Sequence, residues 1–278
     1  MGANIKAIRA RIKSVESTRH ITKAMELVAS SKVKRATTKM EKSRFYRSVM
    51  LDAFADLSSA DTMYSTQRDS SLPVLYIIVA GDRGLAGGYN NNIFRSAAVL
   101  LHENDRILPI GKRAVEYYAN KNYHLLSKEF VSCEDMTSAE CSRAAYLIRD
   151  MYDRGEIGGV RLISTEFVSM LTQNPNMTHL LPLQKENGAA DAKPSVVVEY
   201  EPSAEAVLSA LIPEYLAGVL YSSVCEAFAS ELAARRSAMD AATKNADEML
   251  DNLNLKYNQA RQGAITQEIT EIVAGANV

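Results

Sequence analysis

The sequence predicts an α/β protein: a long antiparallel coiled coil of N- and C-terminal helices, with a mixed α/β domain between them. Three observations carry this. Residues 3–57 place apolar side chains at helical spacing, with no Pro before Pro73 and no Gly between Gly2 and Gly81. The middle of the chain alternates strand-like and helix-like runs. The pattern changes again from about residue 203, and from Phe228 a 4-3-4-3 spacing of seam residues runs toward the end.

In the first helix Ile5, Ile8, Ile12 and Val15 step 3-4-3, and Thr18, Ile21, Met25 and Val28 repeat the step. The polar, turn-rich "SSADTMYSTQRDSS" (58–71) reads as its exit loop. Strand-like runs follow at 72–80, 106–110, 123–131, 159–167, 177–183 and 195–200. Helix-like stretches at 90–103, 112–121 and 137–154 separate the first four, which implies a mostly parallel, Rossmann-like sheet with βαβ crossovers. Residues 184–195, "QKENGAADAKPS", read as a polar loop.

The last helix begins either near Ser203 or just past Pro213. Its seam runs Phe228, Leu232, Arg235, Met239, Ala242, Ala246, Met249, Leu253, Lys256, and Ile265, Ile269 and Ile272 continue it. At about 1.5 Å per residue this helix is roughly 105 Å long and outruns the first by about 20 Å. The chain returns through the middle domain, so the two helices pair antiparallel and the end of the longer one projects. Its apolar residues then face either a partner or, if the tip folds back, its own domain. The expected parts are 1–58 (coiled-coil helix), 72–200 (α/β domain) and 203–278 (coiled-coil helix and tip).

With 47% hydrophobic and 23% charged residues, the chain can bury a core. Residues 1–50 carry thirteen Lys/Arg against three Glu, a net +10; the whole-chain charge of −1 leaves −11 for the rest. The basic helix either meets an acidic partner or is simply solvated. Cys133, Cys141 and Cys225 make no CxxC pair and the four His do not cluster with them, so neither a metal site nor a disulfide framework is expected, and reduced thiols fit. The longest apolar run, 72–80, falls far short of the roughly 20 residues of a membrane span. The basic start imitates a transit peptide, but its pattern runs unbroken into the next segments and reads as part of the fold.

"GDRGLAGGYN" (81–90) follows a strand and precedes a helix, as phosphate-binding loops do, which raises a nucleotide-dependent α/β enzyme as the alternative function. It lacks GK[ST], its glycines do not make GxGxxG, and no catalytic conjunction of Ser/His/Asp, Cys/His or paired carboxylates is present, so no catalytic residue and no cofactor is expected. Asp82 either pins the turn or caps the segment after it. A nucleic-acid-binding coiled coil is the other rival, but the basic residues spread around the helix without aromatic interleaving.

Several blocks carry a resemblance: "ITKAMELVASSKVKRA" (21–36), "DRGLAGG" (82–88), "EYEP" (199–202), "YNQARQ" (257–262) and "ITQEITEIVAGANV" (265–278). In order and spacing they resemble the gamma subunit of bacterial F-type ATP synthases, the central rotor stalk. Two departures stand out: Ala86 replaces the family's usual Cys, and Val278 replaces its small or basic last residue. No cysteine-bearing regulatory insertion is present.

The resemblance implies a shaft without an active site of its own. The coiled coil turns inside three alpha and three beta subunits, and the middle domain is a foot resting with epsilon on the c-ring, at the cytoplasmic face of the plasma membrane. Delta is a further candidate partner; neither nucleic acid nor membrane insertion is expected. Proton flow turns the c-ring and shaft, and the shaft drives the beta sites through different affinities for ADP, phosphate and ATP. Arg261, Gln262 and Thr266 match positions that hydrogen-bond to beta-subunit loops; charge-assisted bonds of about 1.5–3 kcal/mol couple and still exchange. Glu268 and Glu271 either pair with cations of the ring or are solvated. Met25, Arg83 and Arg235 match positions facing the acidic beta loops, with Met25 equally readable as a seam residue. Tyr200 and Glu201 match the foot, or form a strand end.

Overall fold

The computed structural model describes every residue except 1, 58–61, 67, 70, 122, 184–200, 202, 277 and 278. Tyr200, the strand expected at 195–200 and the loop expected at 184–195 lie outside the described residues. Two long helices, α1 (Gly2–Leu57) and α5 (Ala204–Ala276), bracket β1 (Val74–Val79), α2 (Tyr89–Ala98), β2 (Arg106–Ile110), α3 (Lys112–Ala119), β3 (His124–Leu125), α4 (Ser138–Asp153), β4 (Gly159–Phe167) and β5 (Gln173–Leu181). The chain divides into two compact units, residues 1–31 with 235–278, and residues 32–234.

The first unit is an antiparallel helix pair. Arg9 Nη2 donates to the Tyr257 hydroxyl (2.8 Å), Arg19 pairs with Asp247, and the Thr22 and Thr243 hydroxyls bond at 2.8 Å. One set of numbers falls as the other rises, which fixes direction and register. Among the buried and half-buried positions, one stripe runs through Ile5, Ile8, Ile12, Val15, Arg19, Thr22, Glu26 and Ala29 and faces another through Met239, Thr243, Ala246, Leu250, Leu253, Tyr257, Ala260 and Ala264. Both sets keep heptad spacing, which holds a seam on one side of an α-helix.

This corrects the expected seam in phase. Ile21 and Val28 are 57% and 59% exposed, Met249 is 43% exposed, and Lys256 is exposed. Stepping from Val15 to Thr18 and Ile21 drifts about 100° off the stripe. The true seam passes through Arg19 and Thr22, whose polar groups find partners on the facing helix. Nor do Ile265, Ile269 and Ile272 continue it: they are 47%, 56% and 71% exposed. The register sets Ile5 near Ala260, so α5 beyond Ile265 has no described α1 residue opposite it, and residues 265–275 are all exposed.

The second unit is built on a five-stranded sheet of order β3-β2-β1-β4-β5, parallel but for β5. Alternation along β1 splits the core. Leu75, Ile77 and Val79 join residues of α4, α1 and α5 such as Ile148, Phe54, Ile212 and Leu216. Tyr76, Ile78 and Ala80 join Ile93, Phe94, Ala114 and Tyr118 of α2 and α3. Both faces are therefore covered, as a parallel sheet requires.

The strand expected at 123–131 reduces to His124–Leu125, because only those residues pair with Arg106 and Ile107 on β2. The strand expected at 177–183 starts earlier, at Gln173, and returns antiparallel through a tight turn in which Ser169 N–H donates to Thr172 O (3.0 Å). As an edge strand it accommodates Pro175. The last helix begins at the earlier of its two expected starts. Ser203 Oγ accepts from Ala206 N–H (3.2 Å), and Pro213 lies inside the helix. One window of α5 is long and apolar enough to cross a membrane by composition, but 67% of it is buried within the protein, as in a core helix.

Candidate functional site: the glycine-rich loop and the helix tip

The loop after β1 sits at the carboxyl end of the sheet where the strand order reverses, with β2 on one side of β1 and β4 on the other, the position at which open α/β sheets place ligands. The N–H groups of its first three residues are already taken. Gly81 N–H donates to Asn90 Oδ1 (2.8 Å), and Asp82 N–H and Arg83 N–H donate to the two carboxylate oxygens of Glu231 on α5, 3.1 Å each. Glu231 is 1% exposed. A Cβ on Gly81 would stand 2.6 Å from Glu231 Cδ, so glycine is what lets the carboxylate approach. A side chain of the protein thus fills the place a phosphate would need. This observation sets the loop apart from a nucleotide cradle.

Asp82 pins a neighbouring loop and caps a helix. Its carboxylate accepts from Cys133 N–H (2.9 Å), Glu134 N–H (3.0 Å), the Ser132 hydroxyl (3.2 Å) and Lys112 N–H at the start of α3 (3.3 Å). Gly81 O accepts from Arg113 N–H (3.0 Å), and Lys32 pairs with Glu134. Gly111, which opens α3, has φ +91°, and a Cβ there would meet Ala80 O at 2.1 Å. Leu85 holds φ 60°, rare for a non-glycine residue, and is 64% exposed. The Arg83 side chain is exposed. The three cysteines are free and buried, and burial raises the pKa of each thiol, that of Cys141 to about 12.

The tip belongs to the first unit. Arg261, Gln262, Thr266, Glu268 and Glu271 are all exposed there. At roughly 100° per residue Ile265, Ile269, Ile272 and Val273 fall within about 100° of arc. Arg261 and Glu268 border that stripe on one side and Thr266 on the other, with Gln262 inside it. The Thr266 hydroxyl donates to Gln262 O (3.0 Å) and Gln267 Nε2 to Glu271 (2.9 Å), which leaves the Arg261 and Glu268 heads facing solvent.

The expected site residues do not share one pocket. Met25 is half-buried and Arg235 buried, both in the first unit; Arg83 is in the second, and Glu201 is exposed. Glu231 was missed. Its signal was that Glu226 and Glu231 are the two acidic residues in "SSVCEAFASELAA", a run otherwise of apolar and small residues, where a charge requires a partner. A cavity of about 700 Å³ lined by Arg106, Tyr118, Lys121, His124 and Lys128 lies away from the loop and holds none of the expected residues.

Residues 4–278 match a family model described as ATP synthase. The chain is 41% identical to the ATP synthase gamma chain of Ruminococcus albus, covering 97% of this chain and 96% of that one. It is 36% identical to a gamma chain of Acetobacterium woodii described as sodium ion specific, covering 99% of both. Among solved structures, a chain of the Euglena gracilis mitochondrial ATP synthase (OSCP/F1/c-ring, rotational state 3) shares the fold with TM-score 0.70 at 18% identity, over 100% of this chain and 95% of that one.

Proposed function

This chain belongs to the family of ATP synthase gamma chains, and from that premise we propose that it is the non-catalytic rotor shaft of a proton-translocating complex. Residues 1–58 and 203–278 act as the coiled-coil shaft with its tip, and 72–200 as the foot. The tip turns within three alpha and three beta subunits; the foot, with Tyr200 and Glu201, sits against epsilon and the c-ring at the cytoplasmic face of the membrane, and delta completes the complex. Rotation driven by ion flow changes the affinities of the beta sites in turn, and hydrolysis drives the reverse.

The observation that carries this reading is the tip. An isolated helix end gains nothing from exposing Ile265, Ile269, Ile272 and Val273, whereas insertion into an apolar bearing removes that surface from water. Arg261, Glu268 and Thr266 beside the stripe, Gln262 within it and Glu271 further round the helix are hydrogen-bonding partners for the ring. Arg83 and Met25 meet its acidic loops, whereas Arg235, 8% exposed, is buried within the protein.

Deleting 265–278 is expected to lower complex yield or the ions pumped per ATP while the α/β unit stays folded. Unchanged yield and unchanged ATP-driven pumping would refute the role of the tip. Sodium as the coupling ion is a second reading, favoured by the sodium-specific relative. Comparing ATP-driven uptake of protons and of sodium in the same vesicles decides between them.

A further inference from the structure

We propose that Glu226 and Glu231 are positioning residues that key α5 against rotation relative to the sheet, so that torque passes between foot and shaft through two buried carboxylates. The inference rests on the rotor reading. Glu226 and Glu231 are 5% and 1% exposed, on a helix stretch whose other buried neighbours include Val224, Ala227, Ala229 and Leu232. Apolar packing is non-directional and resists sliding weakly, whereas hydrogen bonds to a carboxylate define orientation.

Glu226 accepts from Phe167 N–H at the end of β4 (2.8 Å) and from Arg44 of α1, and Arg44 also donates to Phe167 O (2.8 Å). Glu231 holds the loop at the end of β1 through Asp82 and Arg83 N–H. Between them Ala227 O accepts the Tyr89 hydroxyl of α2 (2.9 Å). The bonds therefore reach the carboxyl ends of the two adjacent central strands. Five residues separate the two carboxylates, which sets them about 140° apart around the helix axis. Twisting α5 in either direction stretches one set while the other resists.

An amide keeps the size: at Glu231, whose two oxygens each accept, it sets an NH2 against a donor, and at Glu226, whose Oε1 accepts both bonds, it removes the charge. The test uses the assembled ATP synthase carrying this chain, in inverted membrane vesicles, with Glu226→Gln, Glu231→Gln and the double variant. Phosphate release reports hydrolysis; quench of a pH-sensitive dye and sodium uptake report ion transport. Hydrolysis is expected to persist while ions moved per ATP fall at least about threefold in the double variant, since each site loses charge-assisted bonds. Complex yield and melting temperature report purely structural damage. If those alone change and ions per ATP stay at the wild-type value, the key is overturned. Should Glu231→Gln fail to assemble, Arg44→Gln, at a half-exposed side chain, is read by the same ratio and the same two outcomes. A wild-type complex that hydrolyses ATP without moving ions overturns the rotor reading itself, a result distinct from failure of the key.

Discussion

Replacing Gly81 by Ala adds a single methyl group at the point where the loop meets α5. Gly81 is not among the positive-φ glycines, so backbone strain plays no part and space alone decides the outcome. The new Cβ would lie 2.6 Å from Glu231 Cδ and 2.9 Å from both Cγ and Oε2. The carboxylate has to withdraw, and the N–H groups of Asp82 and Arg83 lose their acceptor. Two bonds to a buried charged acceptor at about 1.5–3 kcal/mol each, less about 0.4–1 kcal/mol for restricting the unfolded chain, give a net loss of about 2–5 kcal/mol. Urea unfolding of the full chain measures it. Tyrosine is the optical probe, since the sequence has thirteen Tyr and no Trp. A double-mutant cycle with Glu231→Ala then isolates the contact. With the carboxylate gone the methyl has nothing to strike, so the double variant should cost less than the sum of the singles by at least about 1.5 kcal/mol. A single-variant loss under about 0.5 kcal/mol, or additive costs, would refute the carboxylate-in-loop geometry.

The facing threonines and the buried phenols each give a further expected outcome. Thr22→Val is expected to lose about 0.5–1.5 kcal/mol, because Thr243 keeps its bond to Met239 O (2.8 Å) and no donor is orphaned; adding Thr243→Val should recover most of that loss, as read by thermal unfolding. Burial raises the Tyr64 and Tyr215 phenols from 10.0 to about 12, so between those values the unfolded chain binds fewer protons than the folded one. Their contribution to stability is therefore level below pH 10 and falls as pH rises from 10 to 12; tyrosinate absorbance should appear together with loss of the helical signal, and ionisation that precedes unfolding would contradict the burial.

Much of the architecture was legible because it rests on short-range periodicity. The 3-4 steps of Ile5, Ile8, Ile12 and Val15 marked α1, and "LPVLYIIVA" marked a strand buried on both faces. The apolar residues of the tip were legible too, and the structure leaves them exposed. The phase of the seam was not. Ile21 and Val28 look like core by composition, yet Arg19 and Thr22 take those places because Asp247 and Thr243 stand opposite. β3 was over-read because apolar composition does not report where a segment leaves its neighbour: β2 runs to Ile110, but β3 pairs only with Arg106 and Ile107.

By itself the sequence determined where the helices and the central strands form, that the long helices pair antiparallel, and that the loop at 81–90 lacks a phosphate-binding pattern. Each of these rests on residues close together in the chain or on the order of its segments. What fills the loop was decided only by the tertiary structure. Whether an acidic residue is solvated or buried depends on the donors that meet it, and the two loop donors to Glu231 lie 148 and 149 residues away. Only folding brings a carboxylate in the middle of α5 to the backbone of the turn after β1.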